Sequence, residues 1–490
     1  MSFRLHTLSL IALVCVGCSD ATRSNPSASL SVVSGGGSSD TILAVAATPL
    51  VVEVRDSTGH PAVGVTVLFR SQFLPPADSE TAERGVYVCP IQSPGCSSYD
   101  EYGYSVRYGL QDQTDSLGHA RLSVQYGVIA GPTAVLVSVP TLGLSRAVPY
   151  HTLPGQLARV VARIADTAVY VGHSYELGAS AGDRMGNPLP GNVTVRSANP
   201  AVVTVQSGRV TAMALGRGRI VMQFRELIDT AFVSIPPVGR LIAHDLDFTL
   251  LNTDGTERRS LIALHGPYET ALPAWTADGS RIVFQEDSTS SVHLHWVDTL
   301  GARGAVFAPA DDVVVSSQAG IAHDGKLFFS GASISGAGRI YSASLDGSAV
   351  AFVVDGMEPG PSPDGSHLAY VYGELLRIRD LSLATEFEVA EDASYPRWSP
   401  TGALIAYVSS PSFHVEVVRS DGTQPRAVGA TAAYDNGVSW SPDGEWLVAS
   451  QRGVSFRARD AQLELIRVSD GERLPIPWTR GLHEPVWRPF

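Results

Sequence analysis

The sequence predicts an all-β chain whose C-terminal half closes into a six-bladed propeller. Three observations predict it. Forty-seven glycines and 31 prolines are spread along 490 residues, which favours many short strands and turns over long helices. Upstream, runs such as Val63-Gly64-Val65-Thr66-Val67-Leu68-Phe69 alternate as half-buried strands do. Downstream, a tryptophan–Asp-Gly motif recurs with its glycines at 279, 325, 365, 402 and 444, in steps of 46, 40, 37 and 42. A period near ~40–45 residues with one sheet per repeat is the signature of a propeller.

The chain is too long for one core, so two to four domains are expected. A net charge of -13 argues against a nucleic-acid partner, because phosphate contacts need clustered Lys and Arg.

Residues 1–18 read as a targeting segment. Arg4 and His6 precede a short apolar run from Leu8 to Val16, too brief to span a bilayer. The run ends at Val16-Gly17-Cys18, and small residues before a cysteine resemble the lipobox of bacterial lipoproteins. The resemblance implies lipidation of Cys18, with Cys15 standing where that family usually has leucine. Two or three acyl chains, at about 0.8 kcal/mol per buried CH₂, would anchor the protein to a membrane. Ser19-Asp20 after the cysteine fits outer-membrane sorting, on the periplasmic or the surface face. Residues 19–41, rich in Ser and Gly, read as a flexible tether.

Residues 42–152 carry Val51-Val52-Glu53-Val54, an Asp56-x-x-Gly59 turn, Pro61-x-x-Gly64-Val65-x-Val67-x-Phe69 and a late Thr114-Asp115-x-x-Gly118 turn. This order resembles bacterial Ig-like modules of the invasin type and implies a β-sandwich. An insertion at 72–112 holds Cys89 and Cys96, which in an oxidising compartment are expected to form a disulfide. It also holds Tyr87, Tyr99, Tyr102, Tyr104 and Tyr108, a composition suited to a preorganised binding loop. The plainer reading, a stapled surface loop, has the greater weight because sandwich loops vary freely.

Residues 156–236 carry Val171-Gly172-His173, Asp183-Arg184-Met185-Gly186-Asn187-Pro188, Ser197-Ala198-Asn199-Pro200 and Gly208-Arg209-Val210. They resemble a group 2 bacterial Ig-like module. Ile235-Pro236-Pro237 then reads as a stiff linker.

In the repeats of 238–490, an inner strand enters through Trp275, Trp398, Trp440 or Trp487, with Ile321 and Pro361 in that slot of the two weaker copies. The turn follows at Asp278-Gly279, Asp324-Gly325, Asp364-Gly365, Thr401-Gly402 and Asp443-Gly444. There glycine takes φ > 0 and the aspartate bonds nearby N–H groups. Six second turns follow, at Asp254, Asp298, Asp346, Asp380, Asp421 and Asp470. The segment 239–265 has outer strands without an inner motif, and Pro485-Val486-Trp487 is an inner strand without a turn, so the last strand is expected to complete the first blade. The motif is similar to the WD-like repeat of TolB-type propellers. In that family the propeller binds a peptidoglycan-associated lipoprotein. Here two β modules stand in place of TolB's α/β domain, so that role does not carry over.

No residue is assigned as catalytic, cofactor-binding or metal-ligating. Gly178-Ala179-Ser180-Ala181-Gly182 matches G-x-S-x-G, but that motif needs a strand–turn–helix elbow. His293 and His295 face one side of a strand, and His265, His323, His367 and His483 fall in other blades. They read as structural or surface residues, and the adjacent carboxylates Asp311-Asp312, which could bind a cation, fall far short of a calcium loop. The expected function is a monomeric, non-enzymatic envelope lipoprotein that binds or scaffolds a protein or glycan partner. The alternatives are a lyase-like propeller enzyme acting on polysaccharide and an adhesin using the tyrosine-rich loop.

Overall fold

The structure, a computed structural model, describes residues 27–72, 85–91, 109–162, 167–245, 247–263, 273–287, 292–307, 314–332, 338–410, 413–428, 433–451 and 461–489. Apart from one 3-10 turn at Pro140–Leu142, the regular elements among them are strands. No helix among them is long and apolar enough to cross a membrane.

The chain divides into two compact units. The first comprises residues up to 159 together with 181–191. One of its sheets orders Ser29–Ser34, Leu50–Arg55, His119–Gln125 and Tyr87–Cys89; the other orders Ser39–Thr41, Leu144–Leu153, Gly131–Val139, Thr66–Gln72 and Gly109–Gln113. Alternate residues of both sheets, among them Leu50, Val52, Val54, Phe69, Leu122, Val124, Val135 and Val137, form one fully buried core.

This arrangement corrects the tether expected at 19–41. Ser29–Ser34 pairs antiparallel with Leu50–Arg55, and Ser39–Thr41 pairs parallel with Leu144–Leu153. Composition misled because Leu30 and Val32, set between serines, bury against the core. Gly35 at φ 79° is a turn glycine: a Cβ there would stand 2.2 Å from the Pro49 carbonyl oxygen. Residues 1–26, with Cys18 and the signal, lie outside the described residues.

The boundary expected at 156 also moves. Residues 181–191 belong to the first unit. Asp183 Oδ2 accepts the Gly155 N–H at 2.7 Å, and Asn187 spans the carbonyl of Val128 (2.8 Å) and the N–H of Ala130 (2.7 Å).

The second unit holds the remaining strands up to 235 and the ring. A four-stranded sheet (Thr167–Ala168, Leu227–Ile235, Gly216–Phe224, Thr194–Ser197) and a three-stranded one (Ser174–Glu176, Arg209–Ala212, Val203–Gln206) enclose Val203, Val210, Ile220, Val233 and Ile235. This sandwich is fastened to the ring. Glu472 Oε1 accepts the Arg217 N–H at 2.8 Å, Ser234 Oγ donates to the Pro475 carbonyl at 3.1 Å, and Tyr170 Oη meets Thr253 Oγ1 at 3.1 Å.

Six four-stranded sheets among the described residues make the ring. Blade I orders Arg259–Ala263, Asp247–Asn252, Arg240–His244 and His483–Trp487. Blades II to VI begin with the inner strands Ala274–Trp275, Val314–Ile321, Met357–Pro361, Ala393–Trp398 and Ala433–Trp440. The last strand therefore closes blade I, with Leu241 opposite Trp487 and Ile242 opposite Val486.

The strand after each inner turn reads as a continuous apolar run because both its faces are covered. In blade II, Ile282 and Phe284 pack on blade I while Val283 packs on blade III. In blade VI, Trp446 and Val448 pack on blade I while Leu447 packs on blade V. One buried apolar cluster fills each of the six junctions among the described residues.

The inner turns explain the Ser-Pro-Asp-Gly signature. The Ser441 hydroxyl donates to Asp443 at 2.5 Å and accepts the Trp446 N–H at 2.9 Å, while Asp443 accepts the Glu445 N–H at 3.0 Å. Ser362 with Asp364 and Thr276 with Asp278 repeat the pattern. The Thr276 and Ser362 hydroxyls, with the N–H and hydroxyl of Ser280 and Ser366, hold Asp278 and Asp364 down to about 2. Because the folded carboxylates titrate below the unfolded value near 3.8, their contribution is fully present above that value and is lost as pH falls from about 4 through 2. The double variant Asp278→Asn/Asp364→Asn is therefore expected to melt below wild type at pH 7, with most of that deficit gone at pH 2. An equal deficit at both pH values would sink this reading.

Candidate functional site

The inner strands of all six blades line one cavity of about 230 Å³ at the ring axis. Trp275, Trp398, Trp440 and Trp487 line it together with Ile321 and Pro361, which occupy the tryptophan slot in blades III and IV. Two indoles also tie neighbouring blades: Trp440 Nε1 donates to the Arg397 carbonyl at 2.9 Å, and Trp275 Nε1 to the Val486 carbonyl at 3.4 Å. The tryptophans expected to pack the blades are buried or half-buried, and they form the mouth as well.

Arg397 is the one charged side chain among the described lining residues. Burial pulls its guanidinium down to about 10, against the opposing pull of Glu358 and Tyr395. Glu358 lies behind it, its carboxyl raised by burial and held by the Tyr395 N–H at 2.6 Å.

The backbone around the axis repeats a bulge. Glu358, Tyr395, Gly437 and Glu484 each lie three residues before the tryptophan slot, at φ 57°, 54°, 92° and 50°. Each sits where the inner strand slips register against its neighbour. Non-glycine residues in this left-handed region are uncommon, and bulges re-aim side chains beside functional sites.

In blade I the bulge builds a buried polar cluster. Glu484 Oε2 lies 2.6 Å from His244 Nε2, and the His244 and His483 rings are 4.2 Å apart. His244, His483 and Glu484 are 0%, 4% and 3% exposed. His244 Nδ1 lies 3.3 Å from the Asp245 carbonyl oxygen. Burial opposes protonation of His244, but the Glu484 carboxylate beside it overrides this and raises its pKa. Burial, with the neighbouring His244, brings His483 down to about 4.

Of the histidines singled out in the sequence, only His483 joins such a cluster among the described residues. His323 lines the mouth, His367 lies 4.0 Å from Asp380, and His293 and His295 are neighbours on their strand with rings 6.5 Å apart. His265, Asp311 and Asp312 lie outside the described residues. The sequence reading missed His244, Glu484 and Arg397. A usable signal was present in the dipeptides Glu358-Pro359, Tyr395-Pro396 and Glu484-Pro485, which recur at one offset from the motif.

In the first unit, Tyr87 opens the strand Tyr87–Cys89 opposite Gln125, and Cys89 is buried and disulfide-bonded. Cys96, Tyr99, Tyr102, Tyr104 and Tyr108 lie outside the described residues. Ala179–Gly182 of the G-x-S-x-G match form a short strand.

No protein-family description and no curated protein matches the chain. Among solved structures it is similar to TolB from Acinetobacter baumannii, at 17% identity over 62% of this chain and 84% of that one, with a TM-score of 0.45. It is also similar to a putative TolB from Agrobacterium tumefaciens (18% identity, 49% and 89% covered, TM-score 0.40). A third is an oligogalacturonate lyase in complex with manganese (11% identity, 62% and 85% covered, TM-score 0.35).

Proposed function

We propose that this chain is a non-enzymatic, lipid-anchored protein of the bacterial cell envelope that binds a protein or acidic glycan partner at the mouth of its ring. The observation that carries the reading is the convergence of six inner strands on one cavity whose described lining includes four tryptophans and one guanidinium. Aromatic rings with an arginine are the residue types that dominate binding hot spots. At about 230 Å³ the cavity falls below the ~300–1,000 Å³ typical of small-molecule pockets. It suits an inserted side chain or a terminal sugar better than a whole cofactor. Arg397 selects a carboxylate, since it donates several N–H groups in a fixed fork. Lining polar groups are already used by the fold: Ser439 Oγ accepts the Trp487 N–H at 2.9 Å.

The test is affinity capture from envelope extracts with the full chain, run beside titration with uronic-acid oligosaccharides. Whichever ligand binds, Arg397→Ala is expected to weaken it at least about tenfold, as loss of a charge-assisted hydrogen bond would. Binding unchanged in Arg397→Ala but lost in Tyr87→Ala would transfer the role to the disulfide-bearing loop and reject the mouth.

A further inference from the structure

We propose that His244, His483 and Glu484 form a binding site for a divalent transition metal of the zinc class at the seam where the ring closes. This goes beyond the binding role of the mouth and does not depend on it.

The donors come from the two ends of the propeller. His244 is the last residue of its first strand, Arg240–His244, and His483 opens its closing strand, His483–Trp487. The two histidines are paired across this junction, and the register slip beside them accommodates Glu484. Glu484 adopts φ 50°, a conformation that costs a non-glycine residue free energy. The equivalent bulge in blade IV gives the carboxylate of Glu358 to a backbone N–H. In blade I alone among the described residues the bulge sets a carboxylate beside two imidazoles.

One ligand atom from each residue can be chosen so that all lie within 4.8 Å of one another. Tetrahedral zinc, with bonds of ~2.0–2.1 Å to nitrogen and oxygen, holds its ligand atoms roughly 3.3 Å apart. Widening the 2.6 Å His244–Glu484 contact by less than ~1 Å, and drawing in donor atoms up to 4.8 Å apart by about 1.5 Å, brings the set to that spacing. Two imidazoles and one carboxylate are the donor set zinc accepts with a fourth position left over. Two nitrogen donors disfavour calcium and magnesium, which take oxygen. The Asp245 carbonyl beside His244 Nδ1 is the outer partner that would orient the ring and leave Nε2 for the metal. The site joins the first and last strands of the ring, so a bound ion fastens the closure.

The experiment uses the full chain, stripped with chelator, desalted and given zinc sulfate. Bound zinc is expected at one per chain by inductively coupled plasma mass spectrometry. X-ray absorption at the zinc edge is expected to report two imidazoles, and the unfolding temperature is expected to rise with zinc. His483→Ala should reduce bound zinc to background, whereas His293→Ala/His295→Ala should retain it. If His483→Ala does not fold, the isosteric Glu484→Gln decides: weakened zinc binding supports the site, and wild-type affinity overturns it. Absence of zinc above background in the wild type, or its loss in the His293/His295 variant, also overturns it.

Discussion

Truncation of the chain after Leu482 is expected to abolish cooperative folding of the ring. The closing strand supplies one of the four strands of blade I and covers Leu241 and Ile242, both fully buried. Trp487, 4% exposed, packs with Leu241, Trp446 and Leu474. Loss of one such buried aromatic costs about 3–5 kcal/mol. The ladder with residues 240–244 is lost as well, and the flank of Arg240–His244 is opened to pairing with other molecules. Against a total stability of about 5–15 kcal/mol, this leaves little margin. Urea unfolding should lose the cooperative transition of the ring, and gel filtration should show self-association. A truncated chain that stays monomeric with an unchanged midpoint would disprove closure through this strand.

Trp446→Ala is expected to destabilise the ring by about 3–5 kcal/mol, near the largest loss for one side chain. Trp446 is 1% exposed and heads the fully buried side chains by volume. It fills the junction of blades VI and I with Leu241, Ala243, Leu251 and Leu465. The Arg467 guanidinium lies 4.8 Å from its ring centroid, so truncation removes a cation–π contact along with the packing. By contrast, Trp478, 68% exposed, should tolerate alanine with little change. Chemical denaturation of the two variants side by side checks this, and equal shifts would refute the assignment of Trp446 to the junction.

The ring was legible in the sequence because its repeat writes the same chemistry at each blade. Serine, proline, aspartate and glycine occupy fixed places around one turn, and each has a local task that Ser441 and Asp443 exemplify. Closure was legible too, since an inner motif was missing at one end of the repeats and present at the other. Ser29–Ser34 was misread because serine and glycine content outweighed the alternation of Leu30 and Val32. The mouth was half legible: its tryptophans were evident, but Arg397 becomes the one charge among the described lining residues only when six strands are assembled. The seam cluster was not legible. His244 ends an outer-looking strand, and its partner Glu484 lies 240 residues away. Its carboxylate is aimed by a left-handed backbone whose trace in the sequence, the recurring dipeptide ending in Pro485, does not point to His244.

That separation has a kinetic consequence. Contacts between residues far apart in sequence are slow to form, because the intervening chain must lose its freedom before they are rewarded. Until residues 483–487 have been synthesised, the strand Arg240–His244 has an open flank, whatever the state of blades II to VI. Growth of the ring can proceed blade by blade, but completion is a late, all-or-none step. A nascent or prematurely terminated chain therefore presents an open β edge free to pair with other molecules, and closure covers it.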